Sequence, residues 1–192
     1  MSNEGLQTFD ELKQPMALSE VFVKSGMFPD VKSQAQGVVK IMAGKELGLT
    51  PFQSMSGLYF VGGRLALQAN VMSGLIKKTK KYDFIVTKIT DEICEIDFYE
   101  IIDKETKNKL GTSSFGKVEA SKAGLINKDN YKNYPRNMYY ARALSNGARW
   151  FTPDAIMGYY SIEELQDNEE QQLPIKTTVA IDVNGDVKND AS

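Results

Sequence analysis

Residues 84–102 read FIVTKITDEICEIDFYEII, and the way this run divides decides the fold. Cys94, Ile96 and Phe98 alternate with Glu95, Asp97 and Tyr99, the period-two pattern of a strand with one apolar face. FIVTKIT (84–90) reads as a strand entering ICEIDFYEII (93–102) through the polar pair Asp91-Glu92. After DKETKN (103–108), a polar turn, KLGTSSFGKV (109–118) supplies a third strand. Three consecutive strands joined by short polar turns predict an antiparallel meander.

On either side of the meander the period lengthens to that of helices. Phe9 to Ser25 carries Phe9, Leu12, Met16, Val21 and Val23, with Gly26 as a stop and Pro29 beyond. Gln34 to Leu47 puts Val38, Ile41, Met42 and Leu47 on one side, and Gly48 ends it. LYFVGGRLALQ (58–68) is a hairpin whose Gly62-Gly63 pair suits the positive φ of a tight turn. Asn70 is placed to cap a helix through Lys81, closed by the basic run KKTKK. Beyond the meander come a short helical piece, EASKAGL (119–125), a loop, NKDNYKNY (127–134), and a long helix with Pro135 in its first turn. The expected class is therefore α+β: N-terminal helices, a β-hairpin, a three-stranded antiparallel meander and a long C-terminal helix. Residues 9–165 form one core, 1–8 are a flexible N-terminus, and 166–192 are an acidic tail too poor in large apolar residues to order itself.

The totals exclude several function classes. The chain has 192 residues, one cysteine and no histidine, which removes histidine-based catalysis and histidine-ligated metal sites. Cys94 has no partner for an internal disulfide, and MSNEGLQTFDELKQ does not read as a secretory signal, so a reducing cytoplasm is the expected compartment. No apolar run approaches a membrane span. Gly44-Lys45 invites comparison with a phosphate-binding loop, but Val39 and Glu46 stand where that motif needs Gly and Ser or Thr. Glu95 and Asp97 share one side of a strand and would suit a hard cation; a solvated strand face explains them more simply. Nothing in the residues argues for an enzyme or a cofactor.

The formal net charge of -2 hides an asymmetry. Residues 32–150 carry 19 Lys or Arg against 11 Asp or Glu, whereas residues 151–192 carry 2 against 9. A basic middle suits a polyanion; the competing reading is a solvated surface with a solubilising tail. The helix NYPRNMYYARALSNGARWF (133–151), placed at 100° steps, separates Tyr140, Leu144, Gly147 and Phe151 from a stripe of Met138, Tyr139, Arg142, Ser145, Asn146 and Arg149. Arg forks suit phosphate, and tyrosine offers a stacking face to an unpaired base. The alternative is a helix face whose arginines pair with carboxylates elsewhere in the fold. Arg64 at the hairpin, the Lys77–Lys81 cluster, Lys117, Lys122, Lys128 and Lys132 would extend a basic surface.

Three segments together resemble the RecT family of phage and prophage single-strand annealing proteins: residues 19–31, 38–76 and 117–165. The likeness rests on Gly44-Lys45-Glu46-Leu47-Gly48-Leu49-Thr50-Pro51, then Ala123-Gly124-Leu125, Asn133-Tyr134-Pro135-Arg136-Asn137-Met138, Ala141-Arg142-Ala143, and Pro153-Asp154 with Gly158-Tyr159. It spans about residues 16–165, and segment 91–107 is more acidic than in such proteins. The resemblance implies an ATP-independent protein that binds single-stranded DNA, forms homo-oligomeric rings or helical filaments, and pairs complementary strands through an annealed duplex intermediate. Its implied partners are a phage 5′-to-3′ exonuclease and a host single-strand-binding protein. On that reading Arg142, Arg149, Asn146 and Tyr139 meet the strand, with Lys132, Lys117, Arg64 and Gln53 as secondary contacts. A phage-encoded inhibitor of a host enzyme or defence system, using acidic surfaces as a nucleic-acid mimic, is the alternative. A nuclease holding a metal on Glu95 and Asp97 is the third and weakest.

Overall fold

The computed structural model describes residues 4–169, with side chains within 11–167. In chain order the elements are α1 (Glu4–Lys24), α2 (Gln34–Glu46), α3 (Pro51–Gly57), β1 (Leu58–Val61), β2 (Arg64–Leu67) and α4 (Ala69–Lys78). Then come β3 (Tyr82–Ile89), β4 (Ile93–Ile101), β5 (Lys107–Gly116), α5 (Lys117–Lys122), α6 (Asp129–Asn133), α7 (Pro135–Phe151), α8 (Pro153–Ile156), β6 (Tyr160–Ser161) and α9 (Ile162–Glu169). The α+β class stands as expected, and so does the meander, in the order β3-β4-β5 with every pairing antiparallel.

The alternation read in β4 has its predicted consequence. Cys94, Ile96 and Phe98 are fully buried, and Phe84 and Phe115 join them on the inner face. α7 lies on that face at very short range. A Cβ on Gly147 would collide with the Phe98 ring and stand 2.8 Å from Ser113 Cβ, and one on Gly111 would collide with the Phe151 ring. Ser113 Oγ donates to the Ala143 carbonyl at 2.8 Å, fastening helix to sheet. Cys94 is inert packing, its thiol pushed up to about 11 by burial and by Glu95.

The hairpin β1–β2 turns through Gly62 and Gly63, both at positive φ, as their pairing predicts. Beside β2 runs β6 in parallel, a two-residue strand with no period to betray it. α3 was also not expected, although Thr50-Pro51-x-Gln53 is a helix-start signature. Thr50 accepts from the Gln53 amide, and Gln53 Oε1 accepts from the Thr50 amide at 3.0 Å. Four boundaries need correction. α1 is helical from Glu4, within the span expected to be loose; α4 begins at Ala69 after an extended Gln68, so Asn70 is not its cap. The expected loop 127–134 contains α6, and the expected tail begins late, because residues 166–169 continue α9. Residues 170–192 of that tail lie outside the described residues.

Among the residues carrying the family resemblance, some sit at corners of this fold and others inside its helices. Gly44 leaves room for the Ser54 side chain, Gly48 turns α2 away at a φ of 68°, and Pro51 and Pro135 start α3 and α7.

A second cluster, Phe28, Val31, Ile41 and Met55, binds the N-terminal helices together. Beside it Lys40 is wholly buried, donating to Asp30 at 2.8 Å and to the Met55 carbonyl at 2.7 Å, with its ammonium over the Tyr59 ring. Burial lowers the Lys40 pKa, against the opposing pull of Asp30. Replacing Lys40 by Ala should lower the free energy of unfolding by about 3–5 kcal/mol in urea titration, since Asp30 loses its partner. A loss under about 1 kcal/mol would show the pair to be incidental.

Asp83 joins α4 and β5 to β3 through Lys77 and Lys107, each at 2.6 Å. Burial raises its pKa, but bonds from Lys107, Lys77 and the Phe84 amide outweigh that and hold it at about 2. A depressed carboxylate stabilises fully above its unfolded pKa, about 3.9, and ceases to do so as pH falls toward 2. Asp83→Asn should therefore cost about 1–2 kcal/mol at pH 7, and the gap from wild type should close between pH 4 and 2 in parallel urea titrations.

Candidate nucleic-acid interface

α7 is buried on two sides rather than one, and this changes the fate of the predicted stripe. The side set for the core does face it: Leu144 and Gly147 are buried, Tyr140 packs half-buried against the core, and Phe151 lies 5.5 Å from Phe98 between ring centroids. The opposite side meets α9, α6 and β5. Tyr139 is 1% exposed, packed between Phe115 and Tyr131. Its assignment as a stacking platform is corrected accordingly, because its ring faces are already covered by core aromatics. Met138 and Ser145 are buried as well.

Arg142, Asn146 and Arg149 are brought together, but with acids. Arg149 Nη1 pairs with Glu164, Nη2 donates to Asn146 Oδ1 at 2.9 Å, and the guanidinium covers the Tyr160 ring at 4.8 Å. Ser145 Oγ donates to Glu164 Oε2 at 2.7 Å. One turn along α9, Asp167 accepts from Tyr131 OH at 2.6 Å and Lys128 Nζ at 3.1 Å, with Arg142 Nη1 3.7 Å away. Arg142 lies over Phe115, and its Nε and Nη1 are buried without a hydrogen bond. Glu163 Oε2 is in the same condition, and burial raises the Glu163 pKa. Burial, then Asp167, raises that of Tyr131. The arginines thus hold α9 against the body, the alternative that sequence reading left open.

The secondary residues are scattered over the surface. Lys117 is exposed and 3.0 Å from Glu92, and Lys132 is exposed with no ion pair among the described residues. Arg64 is exposed beside the hairpin turn, and exposed Gln53 completes the cap of α3. Arg136 stays on the surface with Asp91 at 2.8 Å. On the outer sheet face, Asp97 is committed to Thr112 and Lys109, each at 2.6 Å, and Tyr99. The sequence reading missed Glu164 and Asp167 as partners of the arginines. They stand three apart, a helical spacing, but the division between core and tail at Gln166 obscured it.

Counted over all the described residues the basic middle is neutralised, about half of the balance coming from α9: residues 4–169 hold 21 Lys or Arg and 21 Asp or Glu. A double-mutant cycle on Arg149→Ala and Glu164→Ala, read by urea unfolding, should give a coupling of about 1–3 kcal/mol. The exposed Arg136–Asp91 pair, taken through the same cycle, should give no more than about 1 kcal/mol. Equal couplings would contradict a buried α7–α9 network. Compared with protein-family models, with curated proteins and with solved structures, the chain matches none.

Proposed function

We propose that this chain binds single-stranded DNA and anneals complementary strands without nucleotide hydrolysis, acting as a homo-oligomer in recombination of the phage type. The observation that carries the reading is the order of motifs from Gly44 through Pro135 to Gly158-Tyr159, which resembles the RecT family over most of the folded residues. Lys45, Arg64, Lys80, Lys88, Lys122 and Lys132 support it: all are exposed and none makes an ion pair among the described residues. Such cations let two polyanions approach, and holding one strand extended leaves its base edges free to pair. Annealing makes and breaks no covalent bond, so it asks for no catalytic acid, base or metal.

The test is an annealing assay with complementary fluorescent oligonucleotides, without ATP or divalent cations. The protein should accelerate duplex formation, and its affinity for a single strand should fall with salt by about 0.7 log units per log unit for each phosphate neutralised. Folded protein with no affinity for single strands at low salt would overturn the proposal and favour the inhibitor reading. Cleavage of the oligonucleotide in a parallel reaction with added Mg²⁺ would favour a nuclease.

A further inference from the structure

A groove of about 440 Å³ runs between α3 and α4, and none of the residues lining it is acidic. Two other hollows include carboxylates: one Glu11, the other Glu46 and Asp154. Gln53 and Ser56 come from α3, Gln68 from the turn before α4, and Asn70, Gly74 and Lys78 from α4 itself. The last three stand at i, i+4 and i+8, so they share one side of the helix and span about 12 Å of its axis.

These side chains hold hydrogen-bonding capacity that the fold does not use. Gln53 spends its Oε1 on the Thr50 amide, and its amide nitrogen bonds nothing among the described residues. Asn70 spends Oδ1 on the Val71 amide and keeps its nitrogen, while Gln68 donates to Tyr59 OH and keeps its oxygen. Lys78 gives one bond, to the Gly48 carbonyl, and has two further N–H donors.

Gly74 is the second observation. Glycine is the least favourable residue after proline inside a helix. Packing explains Gly57 across the groove, where a Cβ would stand 2.8 Å from Val71 Cγ2. It does not explain Gly74, where a Cβ would meet nothing within 4 Å. A helix that stays bare in the middle of a groove lined by both polar and apolar side chains lets an outside chain come close to its backbone.

We infer that the α3–α4 groove is the seat of the sugar–phosphate backbone of single-stranded DNA, lying over Gly74 between Asn70 and Lys78. The inference rests on the DNA-binding reading and gives that reading a site. Amide nitrogens, a lysine and a side chain-free helix surface are donors and space for phosphate oxygens, and the groove's own lining holds no carboxylate.

The test uses full-length protein and a fluorescein-labelled oligothymidylate, followed by anisotropy over a range of potassium chloride. Gly74→Ala should raise Tm by about 2–4 °C, because the site is open and alanine favours the helix. Gly74→Leu should fold and weaken binding about tenfold. Lys78→Ala, on the exposed rim, should make the slope of log affinity against log salt shallower by about 0.7. Wild-type binding matched by Gly74→Leu and Lys78→Ala would overturn the groove while leaving the DNA reading intact. A wild-type protein that ignores the oligonucleotide at low salt would overturn both.

Discussion

The structure depends on how closely α7 approaches the meander. Gly147 faces Phe98 and Ser113, and Gly111 faces Phe151, with no room at either glycine for a single further carbon. At that distance Ser113 reaches the Ala143 carbonyl and the Phe98 and Phe151 rings touch, so the helix and sheet share one dry core. The same approach fixes the helix about its own axis. Once Gly147 points at the sheet, Arg142 and Arg149 must point at whatever covers the other side.

What covers it is α9, and the arrangement explains a buried ionic cluster that would be costly without each of its members. Arg149 and Ser145 hold Glu164, with Asn146 accepting from Arg149, while Tyr131, Lys128 and Arg142 surround Asp167. Such clusters contribute little net stability, because desolvation offsets most of the attraction, yet removing one member strands the others. Three polar atoms, on Arg142 and Glu163, remain without hydrogen bonds there, which marks the α7–α9 contact as less fully satisfied than the α7–sheet contact. The electrostatic consequence is larger. Charges that sequence counting assigned to a partner are used inside the fold, and the surface left for a polyanion is made of separate exposed cations and a groove without acids.

Much of the architecture was legible because it repeats. The alternation of Cys94, Ile96 and Phe98 and the Gly62-Gly63 pair have local causes, and the sheet and hairpin followed from them. Short elements lacked that signal: β6 is two residues long and owes its existence to β2, and α6 has one turn to show. The stripe on α7 failed for a different reason. Periodicity separates an apolar side from a polar one, but it does not say whether the polar side meets water or another element. Tyr139 shows the limit, since its spacing placed it beside Arg142 while Phe115 and Tyr131 enclose it. Conversely, Asn70, Gly74 and Lys78 stood in register in the sequence, and only the facing α3 makes a groove of them.

The motifs that resemble the RecT family place Gly44 inside α2 against Ser54, Gly48 at a turn, and Pro51 and Pro135 at helix starts, so they speak first about how the chain packs and turns. The contact surface has to be sought elsewhere, on faces the corners bring together. The most direct measurement is hydrogen–deuterium exchange of the full-length protein with and without a single-stranded oligonucleotide. The account predicts slowed exchange along residues 51–78, with α7 and α9 unchanged. Protection centred on α7, with residues 51–78 exchanging as in the free protein, would contradict it.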